Sequence, residues 1–181
     1  PEDWVAVVIY DLKTQILQDF TRNKAAAYDA LNSMRIPAFS EMNLFDALTD
    51  TIARMDDIEG KKAIVLISSG VDTFSKMRYD HTLKAVQASD TPVYAIGTGQ
   101  AVRMWYESRG YLQGAGNLEF LQADNQLRSF AKLSGGRAYF PRFEGQFPEI
   151  YGDISAALRN EYQISYSPTN VSKDGKFRKL K

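Results

Sequence analysis

KAIVLISSGVDTFSKMRYDHTLKAVQASDTPVYAI, residues 62–96, is the stretch that decides the fold. Lys62 to Ser68 is apolar and β-branched after its lysine, the composition of a strand buried on both faces. It ends in a small polar loop, Ser68 to Thr73. Helical spacing from about Asp80 to Ser89 then turns Leu83 and Val86 inward, and Pro92 to Ile96 is a second apolar strand. Strand, helix and strand at this spacing form a βαβ unit, which calls for parallel strands with helices packed over them.

Working toward the start of the chain, Val5 to Tyr10 (VAVVIY) has the same doubly buried character. Asp11 to Thr14 reads as a turn into a mixed strand, Gln15 to Phe20, so the pair predicts a hairpin with an antiparallel strand at the sheet edge. A helix is expected from Asn23, capped by Thr21 or Asn23, with Lys24, Ala27, Tyr28, Leu31 and Met34 on one face and Pro37 as its stop. A second helix runs from about Asn43 to near Gly60 and buries Leu44, Leu48, Ile52 and Met55.

Toward the end of the chain, residues 100–122 are rich in glycine and aromatic residues and predict an elaborated loop with one helical turn. Asp124 is expected to cap a helix carrying Leu127, Phe130 and Ala131, closed by Gly135 and Gly136. A short strand at Arg137 to Phe140 follows. The helix from Phe147 to about Asn160 carries Phe147, Ile150, Tyr151, Ile154 and Leu158 on one stripe. A strand at Tyr162 to Ser167 and a turn at Lys173 to Lys176 complete the reading. The fold class is α/β: an open, mostly parallel, doubly wound sheet with helices on both faces and one antiparallel edge strand. Val7, Ile9, Ile64, Val65, Leu66, Val93 and Ala95 are expected to be its buried strand residues. Ligand sites in such sheets lie beyond the carboxyl ends of the strands.

Composition narrows the function. The 181 residues carry 22 Lys+Arg against 22 Asp+Glu, no Cys and one His, and 44% are hydrophobic. That length and apolar content suit one globular domain. Zero cysteine excludes disulfide frameworks and thiol catalysis, a single His excludes two-imidazole sites, and zero net charge argues against a nucleic-acid or acidic-membrane binder. No apolar run approaches the roughly 20 residues of a membrane span. The sequence opens on Pro1 and enters a strand within a few residues, so the expectation is a piece excised from a longer protein.

Catalytic motifs are sparse. Gly97 to Gly99 is a GxG without a third glycine. Ser69 before Gly70 resembles a nucleophile elbow, but Ile67 breaks the GxSxG spacing. His81, at the start of a helix, reads as an exposed or capping residue. Asp11, Asp46 and Asp72 could form an acidic cluster for Mg²⁺, against the plainer reading of turn formers and helix-dipole partners.

The order and spacing of these pieces resemble a von Willebrand factor type A domain, in its bacterial VWFA-related branch. The resemblance is carried by Val5 to Tyr10 with Asp11, LQDFT (17–21), LFDAL (44–48), KAIVLISSGVDT (62–73), VYAIG (93–97), LSGGRAYF (133–140), YQISYSPTN (162–170) and DGKFR (174–178). It implies a domain over residues 1–167 and the start of a C-terminal β extension over 168–181. It also implies a divalent-ion site built from DxSxS, a Thr and an Asp. Here the DxSxS strand is not in the sequence, the Thr position falls at Met42 and the Asp position at Ser69, so the ligand set is degenerate and no metal or other cofactor is expected. The family's first strand would lie between Val5 to Tyr10 and Lys62 to Ser68; either the natural chain continues upstream or another chain fills that slot.

The resulting expectation is a non-catalytic, adhesion-type protein-interaction module, not an enzyme, whose partner is another protein. Its contact residues are expected to be Met42, Asn43, Ser68, Ser69, Asp72, Trp105, Tyr106 and Tyr111. Two alternatives stand beside it: a metal-dependent adhesion module completed by an upstream DxSxS, and a small α/β enzyme or phosphate binder using the Ser68 to Gly70 loop. The family resemblance implies a secreted or cell-envelope setting.

Overall fold

The computed structural model describes residues 3–34, 41–100, 103–104, 109–110 and 115–160. Strands β1 (Val5–Tyr10) and β2 (Thr14–Thr21) form an antiparallel hairpin with an irregular register near Val7. Its turn is held by Asp11, whose carboxylate accepts the Lys13 amide at 3.0 Å. Helix α1 (Lys24–Ser33) follows, capped by Asn23 Oδ1, which accepts from the amides of Ala25 and Ala26. Next come α2 (Leu44–Asp56), β3 (Ile64–Ser68), α3 (Tyr79–Ala88), β4 (Val93–Gly97), α4 (Ala115–Ser134), β5 (Ala138–Tyr139) and α5 (Phe147–Arg159). Strands β3, β4 and β5 make a parallel three-stranded sheet in that order. The architecture is therefore α/β, a parallel sheet flanked by helices with a separate antiparallel pair beside it.

Alternation along the parallel strands divides the core in two. Leu66, Val93 and Ala95 face α2, α3 and α4, where they join Leu44, Phe45, Leu48, Ile52, Val86, Leu127 and Phe130. Phe45, Tyr79 and Phe130 pack ring to ring there, with centroids 5.5 to 6.2 Å apart. On the opposite face Tyr94 and Ile96 pack under Ile150 and Ile154 of α5. Each fully buried aliphatic or phenyl side chain contributes roughly 1.5–3 kcal/mol. Gly136 makes the close packing at the sheet end possible, because a Cβ there would collide with the Val93 carbonyl.

Several expectations need correction. Val65 lies on the same sheet face as Tyr94 and Ile96, yet it is 45% exposed. Ile9 and Ile64 are half-buried. In α1 the buried residue is Ala30, while Tyr28, Leu31 and Met34 are exposed, so the helix seats itself through its alanines and turns its larger side chains out. Helix α4 begins at Ala115, inside the stretch expected to be a loop, which places Asp124 in mid-helix and not at a cap. Tyr151 faces solvent. As expected from the absence of a strand between them, no ladder joins β1 to β3 among the described residues, and the sheet is found as two pieces. Trp105, Tyr106, Tyr111 and residues 161–181, including the expected strand Tyr162 to Ser167, lie outside the described residues.

Candidate functional site

The carboxyl ends of β1 and β3 and the start of α2 converge on one surface. At the end of β1 the Tyr10 hydroxyl donates to Ser68 Oγ at 2.6 Å. Ser68 Oγ also accepts the Gly70 amide at 2.9 Å, so this buried serine closes the turn that leaves β3. Burial pushes the Tyr10 phenol up to about 12, with the nearby Asp72 charge adding to the shift and the Ser68 bond opposing it. Gly70 itself has a φ of 80° and sits against the Ala123 backbone, where a side chain would clash.

The loop after β3 is tied to α2 by exchanged caps. Asp72 Oδ1 accepts the Phe45 amide at 3.1 Å and the Ser75 hydroxyl at 2.5 Å. Ser75 Oγ in turn accepts the Phe45 and Asp46 amides, both at 3.1 Å. Asp46 returns the favour to the loop, taking the Lys76 amide at 3.0 Å and the Met77 amide at 2.8 Å. Thr73 Oγ1 accepts the Met42 amide, and the Met42 carbonyl accepts the Thr73 and Phe74 amides. Orphan donors at a helix start must find acceptors, and here the acceptors come from a distant segment. Asn43 stands at the N-cap position, but its side chain makes no capping bond. Its backbone amide donates to the Asp11 carbonyl, and its Oδ1 is buried with no hydrogen-bond partner among the described residues.

The structure thus brings together Met42, Asn43, Ser68, Ser69 and Asp72 from the expected site. Asp11 contributes its carbonyl oxygen to this arrangement and its carboxylate to the hairpin turn. Asp46 and Asp72 are spent on backbone amides, Met42 offers a thioether and Ser69 a hydroxyl that accepts the Val71 amide. Among the described residues no group of three acidic, histidine or cysteine side chains gathers in one place. This donor set is a poor fit for a hard dication, which needs several anionic or carbonyl oxygens free to turn toward it. His81 is exposed on α3.

Two residues escaped the sequence reading. Ser75 is the hinge of the cap exchange, and its signal was the Asp72-x-x-Ser75 spacing, a local motif in which hydroxyl and carboxylate bond. Tyr10 reads in sequence only as part of an apolar strand, although a buried tyrosine hydroxyl asks for a partner. Away from this surface, a shallow cleft of about 450 Å³ is lined by Tyr139, Glu149, Ile150 and Asp153. Arg137 Nη1 at 2.6 Å and the Tyr139 hydroxyl at 2.8 Å both donate to Asp153 Oδ2, and these bonds hold the Asp153 carboxyl below the usual carboxylate range.

No protein-family model matches the chain, and no curated protein matches it by sequence. Solved structures do resemble it. The conserved hypothetical protein BatB from Bacteroides thetaiotaomicron superposes with a TM-score of 0.60 at 12% identity, covering 89% of this chain and 82% of that one. An aerotolerance-related membrane protein from Bacteroides fragilis NCTC 9343, carrying multiple mutations to serines, gives 0.60 at 14% identity over 89% and 81%. Likeness at such identities is a likeness of fold. No helix among the described residues is long and apolar enough to cross a membrane.

Proposed function

We propose that this chain is a non-catalytic protein-interaction module of the von Willebrand factor A type, with its metal dependence lost, which meets its partner through the loops at the carboxyl ends of β1 and β3. The observation that carries this reading is the exchange of caps between α2 and the Asp72 to Met77 loop. It spends the polar side chains of the surface on fixing its shape, where a catalytic site would keep a nucleophile and a base free. A pre-shaped surface loses little entropy on docking, which favours recognition of another folded protein. Phe74, more than half exposed at the tip of that loop, is an anchor of the kind such surfaces use. The fold likeness to the aerotolerance-related membrane protein is in keeping with a role at the cell envelope.

The test is capture of a protein partner by the immobilised chain, with and without EDTA. Capture is expected to be insensitive to EDTA and abolished by Phe74→Asp, a substitution at an exposed position that leaves thermal stability nearly unchanged. Capture that EDTA removes would favour a metal-dependent module. Turnover of an ester or phosphate substrate, lost in Ser69→Ala, would replace the reading with an enzyme.

A further inference from the structure

Asp124 is a buried carboxylate with a coordination still incomplete. It lies in the middle of α4 and is 6% exposed. Its Oδ2 accepts the Gln100 side-chain amide at 2.9 Å, which ties down the loop after β4. Its Oδ1 takes no hydrogen bond among the described residues, and no cation among them pairs with either oxygen. Yet Oδ1 is not sealed in, since the one fully buried side-chain polar atom without a partner among the described residues is Asn43 Oδ1. A carboxylate taken out of water with a single neutral donor is costly, and buried charges are ordinarily matched by opposite ones.

The surroundings of Oδ1 are built from the carboxyl ends of β3 and β4. Helix α4 is pressed onto the turn after β3, where a Cβ at Gly70 would meet the Ala123 carbonyl oxygen at 2.8 Å. Beyond β4, a Cβ at Gly99 would lie 3.0 Å from the Ser69 carbonyl oxygen, 3.4 Å from the Phe120 ring and 3.8 Å from Asp124 Oδ1. Carbonyl, ring and carboxylate oxygen thus border one spot, and glycine at position 99 leaves the approach to it unfilled. Because the nitrogen of the Gln100 amide faces the carboxylate, its Oε1 is left as a further acceptor close by. The spot is ringed by acceptors, one of them anionic.

We infer that Asp124, the Ser69 carbonyl and Gln100 Oε1 form a receptor for one primary ammonium group, the side-chain end of a lysine on the partner protein. The assignment to a partner rests on the reading of these loops as a protein-docking surface, for Ser69 opens the loop that carries Phe74. Each feature selects the occupant. Three acceptors match the three N–H donors of an ammonium. Arginine is disfavoured, because its fork pairs best with both oxygens of a carboxylate and Gln100 already holds one. A hard dication needs several anionic oxygens, and no group of three acidic, histidine or cysteine side chains gathers among the described residues. The half-buried Phe120 ring offers apolar surface to the methylene stem of a lysine.

The probe is Nα-acetyl-lysine methylamide, titrated into the full chain and followed by NMR at the Gly99 amide and the Gln100 side-chain amide. Saturable shifts are expected with a Kd in the millimolar range, the order that so few contacts supply. Binding of the arginine counterpart should be about tenfold weaker, and the Nε-acetylated counterpart, which keeps the stem and loses the charge, should give no response. Asp124→Asn should abolish the shifts and melt at or above the temperature of the parent, since it removes a buried charge that has no partner. Absence of saturable shifts up to the solubility limit of the probe overturns the proposal, as does an equal response to the Nε-acetylated compound or shifts that survive in Asp124→Asn. A marked fall in melting temperature in Asp124→Asn also overturns it, for the carboxylate would then already hold a cation of this chain. Saturation of the same resonances by Mg²⁺ or Ca²⁺ would replace the ammonium with a metal. The titration needs no partner protein, so its failure leaves Phe74-dependent capture standing. If capture fails while the probe binds, the ammonium site stands and its assignment to a partner's lysine falls.

Discussion

Tyr10 joins the ends of two strands through one hydroxyl, and its chemistry makes that joint sensitive to alkali. The phenol is held neutral well above the ordinary tyrosine value, up to about 12. A group whose folded value is raised contributes stability that is complete below its unfolded value, about pH 10, and lost as the pH climbs toward the folded value. Thermal stability is thus expected to fall between pH 10 and about 12 in the parent. In Tyr10→Phe the lost hydrogen bond should cost about 1 kcal/mol at neutral pH, and this alkaline loss should be reduced; a melting series against pH checks both. Glycines give a second contrast. Gly136→Ala should destabilise by about 3 kcal/mol, since its Cβ would enter the Val93 carbonyl. Gly152→Ala, in mid-helix with open space around it, should stabilise by about 1 kcal/mol. Chemical denaturation of the two variants measures these opposite signs.

Among the elements, the strands of the βαβ unit were the most legible in sequence. The apolar run of β4 is continuous because both its faces are covered, and it is buried at all its positions, whereas β3 has the same apolar run with Val65 and Ile67 exposed. Helix α1 was legible in position and illegible in orientation: its buried surface is alanine, and a face of small residues leaves no apolar stripe to read. The start of α4 was hidden by Gly116 and Asn117, poor helix formers that nonetheless fall inside the helix. The capping of α2 could not be read at all, since its partners lie about a quarter-hundred residues further on, as the Phe45 to Asp72 separation of 27 shows. Asp72→Ala and Ser75→Ala should each cost about 1 kcal/mol. Because both residues accept the Phe45 amide and the Ser75 hydroxyl donates to Asp72, the double variant should cost clearly less than the sum, and a double-mutant cycle on unfolding free energies tests that coupling.

For the whole molecule, the α/β class followed from the order of patterns along the chain, and the likeness of BatB's structure covers most of that length. The division into two sheet pieces was foreshadowed only by the family resemblance, because hydrophobic pattern reports what a strand buries and not which strand lies beside it. The candidate surface was legible as a set of loops beyond strand ends, and the plainer reading of Asp46 and Asp72 as turn and helix-start residues agrees with the amides they accept; which amides these are was not legible, for the partners lie far apart in sequence. From that use follows an expectation about ions. Addition of Mg²⁺ or Mn²⁺ should leave the melting temperature of the parent unchanged, and Ser69→Asp together with Met42→Thr should not create a tight site while Asp72 stays bound to α2. Calorimetric titration of parent and variant checks this, and a micromolar site in the parent would refute it.

The caps that α2 borrows from the loop after β3 also set an order of events during folding. Asn43, the residue in place to start the helix, does not cap it, so the amino end of α2 has no fixed beginning until Asp72 and Ser75 arrive. The peptide spanning residues 41–60 alone should therefore fray at its first turn, and α2 should acquire its full length only in the step that closes β3 and its loop. Helix and loop then rise and melt as one cooperative unit. If that closure belongs to the rate-limiting step, Asp72→Ala will slow refolding in proportion to the stability it removes and leave the unfolding rate nearly untouched.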